Sequence, residues 1–157
     1  MTGAVELTPD AIDPAARLAG FTAALSGEGA VVSFTGHARA AAKDGAPLAS
    51  LVLESYRGVT LASMRAIAAD ARARFRITRS LVVHRAGRIR PGEAIVFVAT
   101  AAAHRRAAFE AADYLMDRLK TEAVFWKREE APEGSRWIEP TDADRSAVAR
   151  WEAATWE

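Results

Sequence analysis

The sequence predicts an α+β fold on a mixed, largely antiparallel sheet with flanking helices. Three observations carry this. Apolar residues recur at helical spacing in long stretches such as 60–75 and 104–119. Short β-branched or alternating runs lie between them, and turn residues join some runs directly into hairpins. The order of elements lacks the strict strand–helix–strand alternation of a parallel sheet.

Taken in order, Asp13 and Pro14 read as cap and first residue of a helix ending near Gly27. Gly29 to Thr35 is apolar and β-branched, as in a buried strand. Arg39 to Pro47 mixes Ala, Lys, Asp, Gly and Pro without a period and reads as a mobile loop. Leu51, Leu53 and Ser55 alternate with Val52, Glu54 and Tyr56, giving a second strand. Thr60 is placed to cap a helix whose buried face is Leu61, Met64, Ile67, Ala68, Ala71 and Phe75. Leu81 to His84 reads as a strand ending at a turn on Gly87, and Pro91-Gly92 as a turn into a strand from Ala94 to Thr100. His104 to Leu119 is a helix with Ala108, Ala112, Leu115 and Leu119 inward. Val124 to Arg128 and Ser135 to Ile138 form a hairpin across Pro132-Glu133-Gly134. Thr141 with Asp144 has the spacing of a capping box, opening a final acidic helix or tail over residues 140–157. No repeat, linker or composition break divides the 157 residues, so one domain is expected over residues 1–157.

Composition narrows the function. There is no cysteine, which removes disulfides, thiolate metal sites and a cysteine nucleophile together. Any sulfur chemistry must then use sulfur brought by something else. The three histidines, His37, His84 and His104, are widely spaced, so no metal site is expected; His84, within an apolar run, reads as structural. Gly27, Gly29 and Gly36 fit no nucleotide-binding loop. Residues 1–128 carry 18 Lys and Arg against 12 Asp and Glu, and residues 129–157 carry 3 against 8. A basic body attracts anionic ligands. A sequence pI near 8.2 and the acidic end speak against nucleic acid. The longest apolar stretch, Ala94 to Ala103, is shorter than the roughly 20 residues a membrane helix needs. No signal-like leader opens the sequence, and a cytoplasmic location is expected.

Three groups of residues are candidates for chemistry. His104-Arg105-Arg106 puts cations at a helix start, against the dipole, which is easier to understand if an anion sits among them. Solvated side chains are an equal alternative from spacing alone. Lys120 ends the same helix and is followed by Phe125-Trp126-Lys127-Arg128 on a strand. There Phe125 shares the face of Lys127, and a desolvated lysine becomes a usable proton donor or acceptor. Taken singly, each lysine is better explained by an ordinary structural role. His37-Ala38-Arg39 ends a strand, where an arginine can form a phosphate or carboxylate fork. His104 and Lys120 are 16 residues apart on one helix. At helical rise that is about 24 Å, too far to share one small ligand within a chain. A dimer in which each pocket takes Lys120 from one copy and His104 from the other resolves this; a bend in the helix or two separate anion sites are the alternatives.

Taken in order, Gly29-Ala30-Val31-Val32-Ser33-Phe34-Thr35-Gly36 with Arg39, then Val83-His84-Arg85-Ala86-Gly87, Pro91-Gly92-Glu93, His104-Arg105, Leu119-Lys120-Thr121, Phe125-Trp126-Lys127-Arg128-Glu129 and Glu133-Gly134-Ser135-Arg136-Trp137 resemble the molybdopterin synthase large-subunit family. The resemblance covers roughly residues 28–140 and implies an α/β hammerhead fold in a homodimer core of a heterotetramer. It implies a small ubiquitin-like partner subunit whose C-terminal Gly-Gly thiocarboxylate enters the pocket. The implied activity is transfer of two sulfurs to cyclic pyranopterin monophosphate, without a bound cofactor. Lys120 and Lys127 match the family's catalytic lysines. Arg39, His104 and Arg105 match residues that bind the anionic pterin, His104 and Arg105 from the neighbouring subunit. Arg128 and Glu129 adjoin the pocket and are expected to hold Lys127. His37 and Ala38 complete the substrate-binding segment, although a Lys-Val pair is common at that place. The competing reading is a catalytically silent anion-binding or scaffold relative that keeps the same small partner.

Overall fold

The computed structural model describes residues 2–56 and 58–153. Eight strands and four helices follow in the order β1 (Thr2–Thr8), α1 (Pro14–Ala23), β2 (Ala30–His37), β3 (Ser50–Ser55), α2 (Val59–Arg74), β4 (Ile77–Arg85), β5 (Gly87–Ile89), β6 (Ala94–Ala102), α3 (Arg105–Glu122), β7 (Phe125–Ala131), β8 (Gly134–Ile138) and α4 (Asp142–Ala153). They form two four-stranded sheets, ordered β1-β4-β6-β2 and β5-β3-β7-β8. Among the described residues only the β1–β4 pairing is parallel; the others are antiparallel, so the mixed, largely antiparallel expectation holds.

Alternation along β4 and β6 builds the core on both faces of the first sheet. Val82, Val96 and Val98 face α2 and α3, joining Met64, Ile67, Ala68, Ala108, Ala111 and Leu115. Val83, Phe97, Ala99 and Ala101 turn the other way, against Phe21 of α1 and Ile12. The second sheet has its own small core of Leu51, Leu53, Ile89 and Ala38. Alanine lets α3 approach α2 and the sheet closely: Ala108 and Ala111 are fully buried. Trp151 of α4 closes this core edge-on to Phe75 at 5.7 Å and Tyr114 at 5.5 Å.

The helix ends follow local chemistry. The Asp13 side chain accepts from the Ala16 N–H at 3.1 Å, with Pro14 opening α1. α1 stops at Ala23, short of Gly27. Thr60 does not cap α2. Gly58 stands at the cap with φ +77°, and the Thr60 hydroxyl accepts from Tyr56 N–H at 2.8 Å while donating to the Val124 carbonyl. A side chain one turn inside a helix is thus diverted to bind the strand that follows α3. Thr141 and Asp144 cap α4 reciprocally, the Thr141 N–H to Asp144 Oδ2 at 2.8 Å and the Asp144 N–H to Thr141 Oγ1 at 3.2 Å.

Thr2 to Thr8, given no element by the sequence pattern, is an edge strand, and Gly87 opens a short strand rather than only a turn. Within the loop 39–47, Ala41 bridges Pro47 and the Ala42 N–H bonds the Ala46 carbonyl at 2.9 Å.

Candidate active site

β7 is an inner strand of the second sheet, with Lys127 opposite Leu53 on β3 and Ile138 on β8. Its start is fixed from α2: Val124 gives its carbonyl to Thr60 and its N–H to Ser63 Oγ at 3.1 Å. Strand alternation then puts Phe125, Lys127 and Glu129 on one face and Trp126, Arg128 and Glu130 on the other.

On the first face, the Phe125 ring stacks on His84 at 4.3 Å between centroids and 27° between planes. His84 is buried, and its Nδ1 lies 2.8 Å from the Arg85 carbonyl. A carbonyl only accepts, so Nδ1 carries the proton. Burial pushes the His84 pKa down to about 4; the Arg85 bond opposes this and the nearby Lys127 charge adds to it. The histidine is therefore neutral at physiological pH, and its stacked ring lies near Lys127.

Four charged groups act on Lys127. Burial pushes its ammonium below the ordinary lysine value, and repulsion by Lys120 pushes it further. Glu129 and Asp144 act in the opposite sense, and Arg39 adds repulsion. Lys120, on the last turn of α3, places Nζ 3.2 Å from Asp144 Oδ1. Burial pushes the Asp144 carboxyl up, but the bonds from Thr141 and the Lys120 ammonium outweigh it and hold it below the usual carboxylate range. Glu129 is largely covered and pairs with Arg136 at 2.9 Å. Arg39 and Lys120, from a loop and a helix end of the same chain, are thus near enough for their charges to act on Lys127 on its strand.

Other expected site residues lie elsewhere. Arg128 is on the far face of β7, paired with Glu54 at 3.3 Å and Glu130 at 3.1 Å and lying 5.4 Å over the Trp137 ring. Strand alternation, which set it opposite Lys127, keeps it from holding that lysine. His37 bonds the Gly92 carbonyl through Nδ1 at 3.0 Å. Ala38 is buried against Leu51, Leu53 and Ile89, with its N–H bound to Glu93 O and its carbonyl to Gly92 N–H. These two residues fix the strand end from which Arg39 leaves. His104 caps α3 without a side-chain bond, and with Arg105, Arg106, Phe109 and Glu110 it lines a shallow hollow at the helix start. That hollow and Lys120 are at opposite ends of α3. Sequence reasoning gave Asp144 only a capping role; its bond to Lys120 depends on α4 returning across α3, which no local pattern encodes.

Chemically, a half-buried lysine with a depressed pKa exchanges protons more readily than a solvated one. The neighbouring Arg39 and Lys120 supply fixed positive charge for an anion beside it. Among the described residues no group of three or more His, Cys, Asp or Glu is placed to hold a metal ion. No helix among them is long and apolar enough to cross a membrane.

Comparison with known proteins bears on this arrangement. Residues 7–122 match the family described as MoaE protein. The molybdopterin synthase catalytic subunit of Caulobacter vibrioides is 53% identical over 148 residues, 94% of this chain and 97% of that protein. That of Pseudomonas aeruginosa is 44% identical over 149 residues, 95% of this chain and 99% of that protein. The solved molybdopterin biosynthesis MoaE protein from Burkholderia ambifaria superposes with a TM-score of 0.80 at 39% identity, covering 96% of this chain and 98% of that one.

Proposed function

The chain belongs to the MoaE protein family of molybdopterin synthase catalytic subunits, and on that premise we propose how its residues divide the work. The substrate is cyclic pyranopterin monophosphate, and the sulfur arrives on the C-terminal thiocarboxylate of a small ubiquitin-like subunit in the cytoplasm. A subunit named catalytic implies a second that is not, and a chain without cysteine has no thiol of its own to give.

The thiocarboxylate sulfur bonds to a pterin side-chain carbon as that carbon's C–O bond breaks; the departing oxygen keeps the electron pair and takes up a proton, and a thioester then joins carrier and pterin. Water then cleaves the acyl–sulfur bond, so that sulfur stays on the pterin and the carrier leaves as a carboxylate. Lys127 exchanges the proton, because its burial makes the neutral amine accessible. Lys120 and Arg39 hold the carrier's end group and the substrate's negative charge. The observation that carries this reading is that the positive charges of Lys120 and Arg39 both act on the half-buried Lys127.

His104 and Arg105 enter from a second copy of the chain. Helical rise separates His104 from Lys120 by about 24 Å, so one ligand meets both only across a dimer. The exposed Phe109 beside His104 gives that contact an apolar element.

The test mixes the protein with its thiocarboxylated partner and the cyclic precursor and measures dithiolene product. Lys127→Ala is expected to lose ~10²–10⁴-fold in rate without losing thermal stability, since it removes a half-buried charge. Equal product from wild type and variant contradicts the catalytic role and favours the silent scaffold reading.

A further inference from the structure

Building on the assignment of Lys120 and Lys127 to the reaction, we propose that Asp144 is a positioning residue for Lys120, one carboxylate both capping α4 and tethering the ammonium group beside Lys127. The two oxygens are divided between the tasks: Oδ2 accepts the Thr141 N–H at 2.8 Å, and Oδ1 meets Lys120 Nζ at 3.2 Å. Asp144 is itself fixed, its side chain 16% exposed while that of Lys120 is 55% exposed. A lysine on a flexible four-carbon stem samples many rotamers, and an exposed ion pair between two mobile side chains restrains it little. Here one partner is immobile, because the cap and the rest of α4 hold it.

α4 is anchored well away from the pair. Trp151 is buried in the main core, its indole Nε1–H donating to Asp117 Oδ2 at 2.7 Å, and Arg150 reaches the same carboxylate at 3.0 Å. The helix therefore carries Asp144 to the end of α3 as a rigid arm. The position also matters electrically. Asp144 is a negative charge acting on both lysines, opposing the repulsion between them. The groups facing Lys127 are His84 of β4, Arg39 after β2, Lys120 of α3, Glu129 of β7 and Asp144 of α4. Of these, Asp144 alone joins the acidic C-terminal helix to the site.

Asp144→Asn separates tether from cap. The amide oxygen still accepts the Thr141 N–H, so α4 stays capped, while the charge on Lys120 is released. Melting close to wild type is expected, with kcat lowered about ten- to a hundredfold and KM for the cyclic precursor changed much less. The pH–rate limb belonging to Lys127 shifts to lower pH, because a negative charge that favoured its protonated form is gone. Asp144→Glu, which restores charge, recovers part of kcat. Wild-type kcat, KM and pH profile in Asp144→Asn overturn the tether. So does a loss of rate that follows melting temperature alone and is not relieved in Asp144→Glu. Lys120→Ala separates the two levels of the argument. If it is fully active, the site assignment itself falls; if it is inactive while Asp144→Asn behaves as wild type, only the tether falls.

Discussion

At the scale of single residues, burial sets the chemistry. Lys127 and His84 are neighbours, and burial disfavours charge on both. For His84 this has a thermodynamic consequence. Unfolded, it takes up a proton near pH 6.5; folded, it does so only near about 4. The unfolded state binds the extra proton between those values, so the stability from a neutral buried His84 is complete above pH 6.5 and lost as pH falls towards 4. The size of that loss is on the order of 3 kcal/mol. Urea unfolding at pH 7 and pH 4.5 measures it. His84→Gln keeps a donor for the Arg85 carbonyl but does not titrate, so its stability should fall less between the two pH values. An equal fall in variant and wild type removes His84 as the cause.

At the scale of elements, the site is three ends brought together: the segment after β2, the C-terminus of α3 and an inner strand. Sequence periodicity was enough for α2, α3 and the β7–β8 hairpin, because each has a long apolar stripe or a turn of definite chemistry. In that hairpin Ala131 pairs with Gly134, whose φ of +134° favours glycine at the turn. β1 and β5 were not legible. β1 is an edge strand whose partner, β4, lies far along the chain, and β5 has three residues and pairs with β3. The cap at Thr60 failed for a similar reason: tertiary contact with Val124 took the hydroxyl. Lys120, Lys127 and Arg39 could be singled out by charge and resemblance, and alternation placed Phe125 beneath Lys127. The same alternation sends Arg128 away, which the resemblance alone had obscured. α4 offers a test at this scale. Trp151→Ala removes the buried anchor and should cost about 3–5 kcal/mol, read by thermal melting. It should also lower kcat beyond what the lost stability explains, by loosening the arm that carries Asp144. Unchanged kcat in the folded variant would show that α4 has no hold on the site.

At the scale of the whole molecule, charge is segregated along the sequence and rejoined in space. The acidic end has a balance of −5 from 3 basic and 8 acidic residues, and the body +6 from 18 and 12. The acidic stretch is not merely a solvated tail: Asp144 pairs with Lys120 and Glu129 lies beside Lys127. At the other end of α3, the exposed His104, Arg105 and Phe109 have no counterpart in the same chain's pocket. In the proposed dimer, a two-fold pair of chains gives them one, each active site being completed by its neighbour.

Hybrid dimers test this most directly. Lys120→Ala and His104→Ala chains are each inactive as homodimers if both residues serve one pocket. Mixed and exchanged in equal amounts, half of the dimers are hybrids holding one intact pocket and one doubly damaged pocket. The account predicts recovery to about a quarter of wild-type dithiolene formation by symmetry. Confirmed hybrids with no activity above the two parents would contradict it.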